Sequence, residues 1–283
     1  MFKRAVGVCR ISLKKSIRHP RMILIAILMF IFLDYTLHGV RDFCASYSVK
    51  VSLWELLAQI FSNANAQGCL ILFFAFMITD LPGIDGSEQY ILIRSGKWAW
   101  IAGKALTITV LAMIWLIIIG IYSCLIVRYI DFSTQWSNAM ITLAKTDAYH
   151  SFSIRMLFSN KVIRNYDLST AALTSLTLNY VLVVIGGVWS LLLNFVTYRP
   201  TGSFAFAVAA FISMSVGGIL TTGYIYKLSP VSLAQLCVIN GGIEDAYPTL
   251  RYVIIFYLTA LLVGSLFLCL AVDARRDYSR FRT

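Results

Sequence analysis

The segment DLPGIDGSEQYILIRSGKWAWIAGK, from Asp80 to Lys104, is a charged insertion between two long apolar runs. Asp85 and Glu88 have the three-residue spacing of a helix N-cap and its N3 partner, so a helix is predicted to start here. Ser95 and Gly96 supply a stop about two turns later. Such a helix is expected to lie across the ends of two membrane spans and to need a partner outside the membrane.

The composition is that of a membrane protein. Hydrophobic residues make up 59% of the chain and charged residues 13%, against roughly 25% charged in soluble domains. Six apolar stretches are long enough, at about 20 residues each, to cross a hydrocarbon layer of roughly 30 Å. They are 22–40, 64–79, 101–127, 172–196, 203–225 and 252–272. The expected fold class is therefore an all-α membrane protein, with residues 1–283 forming a single domain of six transmembrane helices. The second stretch has an unclear start, anywhere from Trp54 onwards, because Asn63, Asn65 and Gln67 interrupt it.

Lysine and arginine positions set the expected orientation, because cytoplasmic flanks of bacterial-type spans carry the excess. Cations crowd the two ends of the chain: Lys3, Arg4, Arg10, Lys14, Lys15, Arg18 and Arg21 before the first span, and Arg275, Arg276, Arg280 and Arg282 after the last. Both termini and the 80–104 segment are therefore predicted to be cytoplasmic in a bacterial cell membrane. The 128–171 loop and the 226–251 segment are predicted outside. The net charge of +11 then indicates topology and attraction to anionic lipid, not nucleic-acid binding.

The leader, residues 1–20, carries an apolar stripe at helical spacing. The stripe consists of Phe2, Val6, Cys9, Leu13 and Ile17. This pattern favours a helix lying in the membrane interface, ended by Pro20 because the residue before a proline resists the helical conformation. A merely basic orienting tail is the alternative.

Three further features are a short apolar segment, a pair of cysteines and a cluster of small residues. Ser229 and Pro230 are predicted to start a short apolar helix, ended by Asn240-Gly241-Gly242, that dips into the outer leaflet and returns. Cys44 and Cys237 are both expected outside, where a disulfide is possible but unsupported by spacing. Small residues cluster on the fourth and fifth spans, including Gly186-Gly187 and Gly217-Gly218; they fit either a subunit interface or ordinary packing in one bundle.

No catalytic motif is present in the sequence. A phosphate-binding loop is missing, because Gly96-Lys97 and Gly103-Lys104 lack the preceding glycine and the following hydroxyl. The histidines, His19, His38 and His150, are too far apart in sequence to suggest a metal site. Asp34 is an exception among apolar spans, and a position at the water boundary explains it better than a proton relay. The chain is expected to be neither an enzyme nor a cofactor-binding protein.

Taken together, these parts resemble a permease subunit of a type-2 ABC exporter. The shared parts are the basic interfacial leader, six spans with both ends inside, the cytoplasmic helix between spans two and three, and the short re-entrant segment before span six. The most specific match is Ser87 to Lys104: an acidic residue, an apolar helix with a tyrosine, Arg-Ser, an aromatic residue, and Gly-Lys opening the third span. The family often has Glu-x-Glu-x-Gly ahead of this helix, where the present chain has the sequence from Asp80 to Asp85.

The resemblance implies that the segment is a coupling helix that docks into a cleft of a separate ATPase subunit, which binds ATP and magnesium. The residues assigned to this coupling site are Asp85, Glu88, Tyr90, Leu92, Arg94, Ser95, Trp98, Gly103 and Lys104. Tyr90 and Leu92 are the candidates to insert into the cleft, and Glu88 or Arg94 to make contacts at its rim. A second permease, identical or a sister chain, is also implied.

An apolar, aromatic-rich path fits a hydrophobic or amphipathic cargo such as a peptide, a lipid-like molecule or a drug, and peptide-antibiotic export or self-protection are roles that the resemblance implies. A membrane scaffold or sensor without transport activity is the alternative function.

Overall fold

A computed structural model describes residues 1–81, 86–146, 152, 154, 158–219, 223–239 and 247–274 of the chain. Nearly all of this part is helical. The α-helices of the first half are α1 (Phe2–Arg18), α2 (Pro20–Tyr47), α3 (Leu53–Ile60), α4 (Ala64–Met77), α5 (Gly86–Ser95) and α6 (Lys97–Val127). Those of the second half are α7 (Asn138–Lys145), α8 (Asn160–Asn165), α9 (Leu168–Thr197), α10 (Thr201–Ile219), α11 (Gly223–Leu228) and α12 (Leu250–Ala274).

Four helices are long and apolar enough to cross a membrane, namely α2, α6, α9 and α12. The pair α3 and α4 gives a fifth candidate span if it counts as one broken element, although its two helices meet at 87°. The chain is therefore an all-helical, membrane-embedded protein with four or five candidate spans. The fifth expected span, 203–225, overlaps α10, whose apolar part, Thr201–Ser215, is shorter than the four candidate spans.

The break before α4 explains the unclear start of the second apolar stretch. Asn63 caps α4, because its side-chain oxygen accepts hydrogen bonds from the backbone N–H groups of Asn65 and Ala66 at 3.1 and 3.0 Å. The polar residues in this stretch thus begin a new helix, and the Trp54 region belongs to the separate helix α3.

Two ends of the bundle can be distinguished by their contacts. At one end, Arg21 at the start of α2 forms an ion pair with Asp80, which follows α4. At the same end, Lys97 at the start of α6 forms an ion pair with Asp273 near the end of α12. At the other end, α3 contacts the chain that follows α6. There Val51 and Ile130 pair in a two-residue parallel ladder, β1 (Val51–Ser52) with β2 (Ile130–Asp131), which the all-α expectation did not include.

Trp115 lies at the centre of the core and is fully buried. Its indole N–H donates to the carbonyl of Leu70 at 3.1 Å, and its ring contacts the rings of Phe61 and Phe74. The indole therefore joins α6 to α4 both by packing and by a satisfied polar group.

Three buried amides form a network inside the bundle. The Gln67 side chain donates to Asn179 Oδ1 at 2.7 Å and accepts from the Gln235 side chain at 2.8 Å. Asn179 donates in turn to the carbonyls of Ser175 and Ala234, at 2.9 and 3.3 Å. This network attaches the segment after α11 to α4 and α9.

The short apolar helix expected after Pro230 is not observed in the described part of that segment. Only Ser232–Ala234 forms a 3-10 turn, and further turns follow as far as Ile239. The reason is the amide network, because Gln235 and the carbonyl of Ala234 are used in bonds to α4 and α9. Its expected end at Asn240-Gly241-Gly242 lies outside the described residues.

The two adjacent glycines of the fourth stretch serve packing within the bundle. A Cβ at Gly186 would lie 2.3 Å from the Phe206 ring, and one at Gly187 would lie 2.3 Å from Ile108. These two close approaches join α9 to α10 and to α6. The side-chain surroundings of Gly217 and Gly218 lie outside the described part.

All six cysteines are free. Cys237 donates to the carbonyl of Ser62 at 2.9 Å, and Cys44 is buried in α2, so the two form no disulfide. Asp34 is partly exposed, and its carboxylate lies 3.5 Å from the guanidinium of Arg41, seven residues later.

Candidate functional site

The charged segment forms a short helix followed by a sharp turn. Helix α5 ends at Ser95, as expected, and α6 begins at Lys97. Between them Gly96 has a φ of +83°, a conformation that residues with a Cβ rarely adopt. The Ser95 hydroxyl donates to the carbonyl of Ile91 at 2.7 Å and completes the last turn. Asp85, the expected cap of this helix, lies outside the described residues.

A buried ion pair fixes α5 against α6. The Lys104 ammonium lies 2.9 Å from the Glu88 carboxylate, and the two residues are only 1% and 4% exposed. The second carboxylate oxygen accepts a hydrogen bond from the Trp100 indole at 3.1 Å. Lys104 also donates to the Ser12 hydroxyl of α1 at 2.9 Å. Three helices, α1, α5 and α6, therefore share one polar cluster, which we call the Glu88 cluster: Glu88, Lys104, Trp100 and Ser12.

Helix α1 packs closely on α6 beside this cluster. A Cβ at Gly103 would lie 2.6 Å from the Val8 side chain and 2.8 Å from the carbonyl of Ala5. Gly103 is therefore needed for the approach of the two backbones. The side of α1 that faces α6 consists of Ala5, Val8 and Ser12, all of them buried.

The chain on both sides of α5 is also held by polar contacts. Asp80 accepts two hydrogen bonds from the Arg21 guanidinium at the start of α2, both at 2.7 Å. The Asn194 amide of α9 donates to the carbonyl of Leu81 at 2.7 Å. On the other side, Lys97 makes an ion pair with Asp273 near the end of α12. These contacts connect the chain before and after α5 to α2, α9 and α12.

The face of α5 opposite to Glu88 is exposed. Tyr90 and Ile93 are 77% and 81% exposed, and Arg94 is exposed beside them. These three residues are spaced i, i+3 and i+4, so they lie on one side of the helix. We call this set the outward face of α5. Two large apolar side chains are therefore left uncovered on one side of this short helix.

Two of the expected contact residues lie on the inner side. Leu92 is buried in the core and cannot reach a partner in this conformation. Glu88, expected at the rim of a cleft, is enclosed by Lys104 and Trp100. The reason is helical spacing, because residues 88 and 92 are four apart and share the face opposite to Tyr90. Trp98 is half-buried, with the Lys97 ammonium 5.6 Å from the centre of its ring.

Sequence reasoning missed three residues of this site. Ile93 could have been found from its spacing to Tyr90 on a helix. Trp100 and Ser12 gave no such signal, because their bonds to Glu88 and Lys104 depend on how α1 and α6 cross. In the stripe of the leader, Phe2, Val6 and Ile17 are exposed, whereas Leu13 packs against the core.

A second polar cluster lies at the other end of the bundle. Glu55 of α3 is fully buried and accepts hydrogen bonds from the backbone N–H groups of Ser52 and Ser137, with the Ser137 hydroxyl as a third donor. Four residues later, the Gln59 amide bonds both the N–H and the carbonyl of Ser159. Helix α3 thereby holds the chain on both sides of α7.

No family model, curated protein or solved structure matches this chain. The arrangement itself defines the class of protein: a bundle of apolar helices that carries, at one end, a short anchored helix with an exposed apolar face. What this helix does is a proposal that follows from its geometry.

Proposed function

We propose that the chain is the permease subunit of an ATP-driven exporter and that α5 is the helix through which a separate ATPase subunit moves it. The observation that supports this most directly is the two-sidedness of α5. Its inner side is fixed to α1 and α6 by the buried Glu88 cluster, and its outward face is exposed and apolar.

These two sides together suit the transmission of force. A partner that binds Tyr90 and Ile93 could push or pull α5, and the buried ion pair would carry that displacement into α6. Helix α6 is 31 residues long and reaches the other end of the bundle. Binding of ATP to two ATPase subunits would then repack the long helices by rigid-body movement. This chain supplies no chemistry in this scheme; ATP and magnesium stay on the partner.

The remaining parts of the proposal concern orientation, cargo and assembly. The six-span topology, the cytoplasmic position of both termini and the interfacial position of α1 on anionic lipid agree with the charge distribution. The exposed stripe of α1 supports contact with lipid. A second permease subunit completes the transporter, and the cargo is a hydrophobic or amphipathic molecule.

Co-purification of the partner tests the proposal. The tagged chain is isolated from native membranes in mild detergent, and a stoichiometric ATPase subunit is expected with it. Burying an aromatic ring contributes about 2 to 3 kcal/mol, so Tyr90→Ala should weaken the ATPase association by up to about 100-fold. Ile93→Ala is expected to act in the same direction.

Phe2→Ala is the matched control, because Phe2 is an equally exposed aromatic residue on α1 and should leave the association unchanged. Absence of any ATPase from the purified chain would favour a scaffold or sensor instead. An ATPase that stays bound when both Tyr90 and Ile93 are replaced would show that α5 is not its docking helix.

A further inference from the structure

An apolar groove opens between α9, α10 and α12. Both α10 and α12 pack on α9, and between them lies a cavity of about 350 Å³. Its lining comes from all three helices and includes Gly186 and Trp189 of α9, Ala205 and Ala209 of α10, and Phe256 and Ala260 of α12. Ala205 is exposed, so the groove is open to its surroundings.

The polar groups in the groove walls are already bonded within the chain. The Ser190 hydroxyl lies 2.7 and 3.1 Å from the carbonyls of Gly186 and Gly202. The Trp189 indole donates to the carbonyl of Ala260 at 3.1 Å, and the Tyr257 hydroxyl to that of Pro230 at 2.8 Å. Water needs two to four polar partners to occupy a cavity, and a peptide would leave its own amides unpaired here. The groove therefore favours an apolar occupant over water or an extended peptide.

The groove has room for a hydrocarbon chain, since its cavity measures about 350 Å³. A methylene group fills slightly less space than the ~30 Å³ of a liquid water molecule, so about a dozen methylenes fit. That corresponds to most of one lipid acyl chain.

A cation is close in sequence to one end of the groove lining. Arg199, in the connection between α9 and α10, is exposed and forms no ion pair with any residue that the structure describes. It lies three residues before Gly202, which lines the groove, and just before α10, whose N-terminus adds positive partial charge. Exposed apolar residues flank the groove on both helices, such as Val208 of α10 and Leu262 of α12; they are positioned to meet the bilayer interior.

We propose that this groove binds one acyl chain of an anionic phospholipid from the surrounding bilayer, with the lipid phosphate at Arg199. The site is separate from α5 and does not depend on an ATPase partner. It would hold α10 and α12 at a fixed separation across α9.

Photo-crosslinking tests the site directly. The full chain is reconstituted in vesicles of phosphatidylglycerol that carries a diazirine on one acyl chain, and labelled peptides are identified by mass spectrometry. Label is expected on the groove residues of α10 and α12. Ala205→Trp fills the groove and should lower that labelling at least tenfold, whereas Val208→Trp, on the same helix but outside the groove, should not.

Further variants test the contact with the lipid headgroup and the identity of the occupant. Arg199→Gln should lower the preference for phosphatidylglycerol over phosphatidylcholine about fivefold, the effect of one cation beside an anionic lipid. Ala209→Phe repeats the filling test from a second position, in case Ala205→Trp fails to fold. Equal labelling of Ala205→Trp and Val208→Trp overturns the groove assignment. Disulfide-linked dimers of Ala205→Cys would show that a second copy covers the groove, and would overturn it as well.

Discussion

The two ends of the bundle each bury one glutamate, but they satisfy it differently. Glu88 is paired with the buried ammonium of Lys104, whereas Glu55 is held by backbone N–H groups and a hydroxyl. The Glu88 cluster joins three helices to one another. The Glu55 cluster joins one short helix to the connections around it.

An ion pair at one end and separate hydrogen bonds at the other should respond differently when the structure is disturbed. A buried ion pair fails as a whole when one partner is lost, because the other charge is left without compensation. Displacing α5 alone would break this pair, so we expect α1, α5 and α6 to move together. Hydrogen bonds from single N–H groups can be lost one at a time, so the connections near α3 can loosen locally while the helices stay in place.

The largest expected effect is the all-or-none difference between the two ends in thiol labelling. Arg94→Cys on α5 should resist an impermeant thiol reagent in intact cells, and Thr134→Cys near the Glu55 cluster should react, because cation excess places α5 inside. Both positions are exposed, and the wild-type chain with its six native cysteines gives the background. Reversed labelling would overturn the orientation and the docking role of α5.

Loss of the Glu88 carboxylate should be the most destabilising single change at either cluster. Glu88→Met removes the carboxylate that pairs with the buried Lys104 ammonium, for which a loss of about 3 to 5 kcal/mol is expected. The double variant Glu88→Met with Lys104→Met removes both charges and should recover most of that loss. Thermal unfolding in detergent measures both, as a double-mutant cycle. Additive losses would show that the ion pair does not couple α5 to α6.

Loss of the Glu55 carboxylate should cost less and act locally. Glu55→Ala leaves the backbone N–H groups of Ser52 and Ser137 without their acceptor, at about 1 to 3 kcal/mol. Hydrogen exchange should speed up near Ser52 and Ser137, with no change in α5. Glu55→Gln keeps an acceptor oxygen and serves as the milder control. Faster exchange in α5 would contradict the independence of the two ends.

The smallest effect is expected at the partly exposed pair of Arg21 and Asp80. Such pairs contribute about 0 to 1 kcal/mol even with good geometry. Arg21→Gln should therefore shift the unfolding midpoint only slightly, and added salt should reduce the difference further. Arg21→Lys keeps the charge but loses the two parallel bonds. A loss as large as that of Glu88→Met would mean that the anchoring of Asp80 matters more than the buried cluster.

Local sequence signals predicted the helices well and the contacts between them poorly. Apolar runs gave the positions of the long helices, and Ser95-Gly96 gave the end of α5, because these features depend on neighbouring residues. The buried side of α5 could not be derived, since Lys104 reaches Glu88 only after the turn at Gly96. The 3-10 turn at Ser232–Ala234 was missed for a similar reason: the bonds of Gln235 are to residues far away in sequence.

The amide network of Gln67, Asn179 and Gln235 has an evolutionary consequence. Each of these buried side chains completes the hydrogen bonding of another, so replacing one alone leaves a neighbour with an unmet donor or acceptor. Natural sequences that diverge from this one are then constrained to keep all three amides or to exchange them together for apolar residues. Across relatives, positions 67, 179 and 235 should covary as a group, although more than fifty residues separate each from the next.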